Sequence, residues 1–123
     1  MRRVLVALGL AALVAFGSIA LSEDRKTIFD SDASRHVGET VSVRGLVAGV
    51  YTSKSNTTFI NFGAAYPHHT FTAVIFSSAI SRFTDPKKWN GKMITVIGLI
   101  KDYKGKPEIV LESPSQVSDA GQP

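Results

Sequence analysis

The 123-residue chain contains no cysteine. That excludes a disulfide framework, a thiolate metal centre, a cysteine nucleophile and a lipid-bearing cysteine anchor. It also lacks a glycine-rich phosphate loop, a nucleophile-elbow serine and a zinc-protease helix. Carboxylates are sparse in the body of the chain: from Val41 to Leu111 there are only Asp85, Asp102 and Glu108. A calcium-dependent nuclease needs such groups in a cluster, and these three are spread out beside lysine-bearing turns. There are only three histidines. His68 and His69 are neighbours on an extended stretch, so their side chains point apart, and His36 lies far upstream. Neither a metal site, a cofactor nor catalysis is expected from this set.

What is present divides the chain into unequal parts. Arg2 and Arg3 precede an uncharged apolar run, Val4 to Phe16, and then Gly17-Ser18-Ile19-Ala20. A basic start, an apolar stretch of that length and small residues at Ser18 and Ala20 form the pattern of a secretory signal peptide cleaved after Ala20. Its rival is an uncleaved membrane anchor, for which Val4 to Leu21 is barely long enough. Both place the folded part outside the cytoplasm, in a periplasmic or secreted location, and only the second gives it a membrane partner. The domain reading is then residues 1–20 as signal helix, 21–32 as linker, 33–117 as the folded domain and 118–123 as a disordered tail. Between Val41 and Leu111 there are nine basic side chains and three acidic ones, whereas residues 21–40 and 112–123 are each net acidic. A basic body points to a polyanionic partner.

Hydrophobic periodicity gives the architecture. A short helix is expected over Ser31 to Val37, capped by Ser31 or Asp32 and closed by Gly38. Thr40 to Tyr51 alternates with period two and reads as one long strand, bent or bulged at Gly45 and Gly49. Ser53 to Asn56 is a turn, and Thr57 to Phe62 is a second strand. Thr70 to Phe76 is a third. Ser77-Ser78 caps a short helix, Ala79 to Phe83. Met93 to Tyr103 is a fourth strand, Lys104 to Pro107 a turn, and Glu108 to Leu111 a fifth strand. Five strands with one helix between the third and fourth is the order of the OB-fold, an all-β Greek-key barrel of five strands.

Particular stretches go further than topology. His36-Val37-Gly38-Glu39-Thr40-Val41-Ser42-Val43-Arg44-Gly45, followed by Thr58-Phe59-Ile60-Asn61-Phe62, resembles the anticodon-binding OB module of class II aminoacyl-tRNA synthetases. Phe59 to Gly63, Tyr66-Pro67, Phe71 to Phe76 and Tyr103 through Gln116 resemble small bacterial OB-fold nucleic-acid-binding proteins more closely. The resemblance implies binding of single-stranded DNA or RNA on the face of the first three strands, with Phe59 stacking on a base. It also implies the company of nuclease or DNA-processing proteins, since members of that family occur fused to such domains. Where the synthetase modules are arginine-rich, this chain has Ala48-Gly49-Val50-Tyr51. That difference favours a generic single strand over a tRNA.

Single-strand binding needs aromatic faces for bases and cations for phosphates. The candidate stackers are Tyr51, Phe59, Phe71 and Tyr103, with Tyr66 beside them and Asn61 on the same face as Phe59. The candidate phosphate contacts are Arg44, Lys54, Lys101, Lys104 and Lys106. Ile60, Phe62 and Phe76 are expected in the core, and Trp89 is expected to cap one end of the barrel. The competing reading keeps the same fold and exchanges the ligand for an oligosaccharide or a protein partner.

Overall fold

A computed structural model describes residues 25–119. Eight strands are present: β1 (Thr27–Phe29), β2 (Thr40–Thr52), β3 (Thr58–Phe62), β4 (Phe71–Ile75), β5 (Met93–Leu99), β6 (Lys101–Tyr103), β7 (Lys106–Val110) and β8 (Val117–Ser118). One α-helical turn, α1 (Ser77–Ile80), lies between β4 and β5. The remaining helical segments are 3₁₀, at Asp30–His36, Pro86–Trp89 and Pro114–Gln116. The path of hydrogen-bonded strands runs β6-β7-β4-β3-β2-β5-β8, and β1 pairs in parallel with β2. The fold is therefore all-β and OB-like, with eight strands in an open sheet instead of five in a closed barrel.

The long strand β2 holds the two halves of the sheet together. Thr40 to Leu46 pairs with β5, and Val47 to Thr52 pairs with β3. Val41, Val43 and Val47 are buried at odd positions. Between Val47 and Gly49 the register slips by one residue against Phe62 and Asn61. Ala48 is the extra residue of a β-bulge, which reverses the inward and outward sense of everything after it. Val50 consequently packs against the core, and Tyr51 turns outward opposite Phe59. The bulge lies between the two glycines expected to bend the strand.

Several other elements depart from the sequence expectation. The region 21–32 was expected to be a linker, yet Thr27–Phe29 adds a strand beside β2, where Ser42 N–H donates to the carbonyl of Lys26 at 2.9 Å. The helix expected over Ser31 to Val37 is a 3₁₀ segment that starts at Asp30, with no side-chain cap. The helix placed at Ala79 to Phe83 begins two residues earlier, at Ser77, and Ser77 and Ser78 lie inside it instead of capping it. The fourth strand is two strands. Ile100 is fully buried between them, and its N–H and carbonyl bond to Glu39 and Gly38 while the chain leaves β5 for β6. Ser118 pairs with Thr95 in β8, so the ordered domain extends past residue 117. The expected signal peptide and residues 120–123 lie outside the described residues.

The core includes Ile60 and Phe62 of β3, Phe71 and Ile75 of β4, Ile94 of β5 and Ile109 of β7. Trp89 is buried and meets Phe83 edge to face, with ring centroids 6.4 Å apart. Gly98 lets β5 approach β7: a Cβ there would come within 2.6 Å of Ile109 Cγ2. Gln116 ties the same seam. Its Nε2 donates to the carbonyl of Ile97 at 2.9 Å and to that of Val110 at 3.3 Å, while its Oε1 accepts from the N–H groups of Glu112 and Ser113. One side chain thus satisfies four backbone groups that the open sheet edge leaves over.

Candidate nucleic-acid interface

Strand β3 alternates strictly. Thr58, Ile60 and Phe62 face inward, and Phe59 and Asn61 face the other side. Cross-strand register places Tyr51 of β2 opposite Phe59, and their rings lie nearly parallel, 19° apart with centroids 6.3 Å apart. On β4 the same outer stripe carries Thr72, paired with Asn61, and Val74, paired with Phe59. Beyond it Glu108 of β7 pairs with Thr72. A groove of about 850 Å³ runs over this surface. Its walls are the loop between β3 and β4, which brings in Tyr66, Pro67 and His69, and the hairpin of β6 and β7, which brings in Tyr103, Lys104 and Lys106.

Both walls have local causes. Tyr103 pairs with Lys106 across a two-residue turn, Lys104-Gly105, in which both residues have positive φ. This is the hairpin turn whose twist matches that of the strands, and glycine supplies one of the two positive angles without strain. Lys106 then reaches across to the other wall. Its Nζ donates to the carbonyl of His69 at 2.7 Å and to that of Pro67 at 3.4 Å. Tyr66 lies over the His69 ring with centroids 5.6 Å apart, and the Tyr66–Pro67 peptide bond is cis. Thr70 anchors the end of the loop through its hydroxyl, which donates to Asp30 and to the carbonyl of Phe62.

The floor carries few polar groups, and each is oriented. Thr72 Oγ1 donates to Asn61 Oδ1 at 3.0 Å, so the amide oxygen of Asn61 is engaged within the sheet. Burial pushes the Glu108 carboxyl above the usual carboxylate range, and the charge of Lys101, its register partner on β6, opposes that push. Burial, and then the charge of Lys106, hold the His69 imidazole below its usual range. His69 Nδ1 is buried with no hydrogen-bond partner. The floor is therefore apolar and aromatic, and the cations stand at the rim.

The eleven residues proposed from sequence separate accordingly. Tyr51, Phe59, Asn61, Tyr66, Tyr103, Lys104 and Lys106 converge on the groove. Lys54 is exposed on the β2–β3 turn between Ser53 and Ser55, which line an adjoining hollow. Lys101 stands exposed at the margin beside Glu108. Arg44 does not reach the groove. It lies on the β5 half of β2 and donates to Thr95 Oγ1 at 3.1 Å. Phe71 is fully buried, 5.1 Å from Phe62 in an edge-to-face contact, and presents no face to a ligand. Phe76, expected in the core, is instead 47% exposed. Pro67, His69, Thr72, Pro107 and Glu108 line the groove without having been singled out. Only period two counted from Asn61 and the strand pairing would have found Thr72 and Glu108, and nothing local marks the others.

No protein-family model matches the chain, and no curated protein matches it. Solved structures do. An aspartyl-tRNA synthetase from Entamoeba histolytica superposes with a TM-score of 0.55 at 17% identity over 80% of this chain. OBody AM1L10, in its structure bound to hen egg-white lysozyme, superposes with a TM-score of 0.52 at 13% identity, covering 80% of this chain and 95% of the OBody. The chain spans only 22% of the length of the synthetase. At these identities the similarity is one of fold.

Proposed function

We propose that the protein binds single-stranded nucleic acid along this groove and performs no chemistry on it. The observation that carries the reading is the nearly parallel Tyr51–Phe59 pair in the groove, which Tyr66, Tyr103, Lys104 and Lys106 also line. Rings at strand spacing accept bases of any sequence, and rim cations track the phosphate backbone. The one carboxylate lining the groove, Glu108, is partly buried, and that burial raises its pKa. The similarity to part of a tRNA synthetase supports the same class of ligand, and coverage of about a fifth of that enzyme is compatible with a binding module without an active site of its own.

Fluorescence-anisotropy titration of the protein with a labelled dodecathymidylate at two salt concentrations tests the reading. Two to four lysine–phosphate contacts predict a slope of log K against log salt between roughly −1 and −3. Salt-independent binding, or none at low salt, overturns it. A protein ligand is the second reading. It is favoured by the fold shared with an OBody solved in complex with lysozyme and by the exposure of Tyr51, Tyr66 and Tyr103.

We further infer that the protein works outside the cytoplasm, in a periplasmic or secreted location. The support is the sequence alone: Arg2-Arg3, the apolar run from Val4 to Phe16, and Ser18 and Ala20 before the cut. Mass spectrometry of the protein recovered from its own cells should find a chain that starts at Leu21. An intact chain from Met1 in the cytosolic fraction refutes the inference.

A further inference from the structure

The groove does not end at Phe59. A second hollow of about 410 Å³ adjoins it, and the two share Phe59, Tyr103 and Glu108. The second hollow continues past Val74 to Phe76 and is closed by the hydroxyls of Ser53 and Ser55 on the β2–β3 hairpin. Phe76 follows Ile75 directly at the end of β4 and keeps the outward sense of Thr72 and Val74. At about 3.3 Å per residue, this outer stripe extends roughly 13 Å from Thr72 to Phe76.

Phe76 is a large apolar side chain left 47% exposed, although it leads straight into α1, whose Ala79 is buried in the core. It makes no ring contact with another aromatic residue among the described residues. The alternating face of β4 turns it toward the groove. Lys54 is exposed on the turn between Ser53 and Ser55; it does not line the second hollow itself but belongs to the turn that borders its far end.

We propose that Phe76 is a second stacking platform, and that the strand runs from the Tyr66 loop across Phe59 and Tyr103 to Phe76, with its phosphates passing Lys54. This extends the nucleic-acid reading of the same site and depends on it. The footprint is then longer than the central aromatic pair needs. Seated from the Tyr66 loop to Phe59, a trinucleotide fills the first groove, whereas a longer strand continues over Phe76, two residues beyond the Val74 partner of Phe59.

The experiment compares a labelled trithymidylate and a labelled dodecathymidylate on the wild type, Phe76→Ala and Phe76→Tyr. Phe76→Ala should weaken the dodecamer fivefold or more and change the trimer less than twofold. Phe76→Tyr, which keeps the ring, should restore dodecamer binding. In the wild type, the Phe76 ring resonances should shift in NMR spectra with the dodecamer and stay in place with the trimer, a reading that needs no variant. Equal loss for both lengths, no loss for either, or ring resonances that ignore the dodecamer overturn the second platform. Failure of the wild type to bind either oligonucleotide at low salt is a different result. It removes the nucleic-acid reading itself, and the platform with it.

Discussion

Phe59→Ala should lower the affinity for single-stranded oligonucleotide by roughly ten- to a hundredfold while the protein stays folded. Stacking of one base on one aromatic ring is worth about 1–3 kcal/mol by alanine substitution, and Phe59 is, with Tyr103 and Glu108, one of the three residues that line both hollows. It is flanked by Tyr51 on β2 and by Val74 on β4, so its removal also deprives the Tyr51 ring of its neighbour. The loss should therefore sit in the upper part of the range. The cost to stability is smaller. Phe59 is only half-buried, on the side of the sheet away from the core, and a cross-strand aromatic pair contributes about 0.2–1 kcal/mol. Anisotropy titration combined with thermal melting by circular dichroism separates the two effects. Unchanged affinity in a folded variant would move the ligand off this face altogether.

The outward face of Phe59 was legible in the sequence, and that of Tyr51 was not. On β3, period two suffices: Ile60 and Phe62 are apolar, Asn61 is not, and the face of Phe59 follows. On β2 the same counting fails. Carried from Val41, Val43 and Val47, it turns Tyr51 inward, and only the extra residue at Ala48 reverses it. A bulge is set by how the strand must coil to serve two partners, and alanine carries no mark of that. Glycines 45 and 49 looked the better sites because glycine bends easily, but Gly45 keeps its register opposite Ile94.

A single inverted alternation accounts for both misplaced phenylalanines. In Phe71-Thr72-Ala73-Val74-Ile75-Phe76 each stripe ends on a phenylalanine, and every residue of β4 itself is buried. The sequence therefore holds no contrast between the faces. Taking Phe71 as outward makes Phe76 inward, and the structure has the opposite arrangement. The deciding fact is long-range: Phe71 pairs with Phe62, whose inward direction is fixed by β3. Strand β1, the break at Ile100 and the pairing of β8 were hidden for a similar reason. Each is a short segment whose geometry comes from its partner strand and leaves little pattern of its own.

The assignment of Phe71 to the core yields a test as sharp as that of Phe59 and opposite in kind. Phe71→Ala should destabilise the protein by about 3–5 kcal/mol, since it deletes a fully buried ring and leaves a cavity that the surrounding strands cannot fill. For a domain of this size, that lowers the melting temperature by roughly 15–30 °C. The edge-to-face contact with Phe62 at 5.1 Å is lost in the same step. Phe71→Leu, which keeps most of the volume, should recover the greater part of the loss. Phe59 and Phe71 lie on neighbouring strands and are both aromatic, so a generic loss of hydrophobicity would treat them alike. The structure separates them: one variant binds poorly and melts near the wild type, and the other melts early and binds normally at temperatures where it is still folded. If Phe71→Ala melts with the wild type but loses the oligonucleotide, the inward face of β4 has been misassigned, and Phe76 is the side chain that belongs in the core.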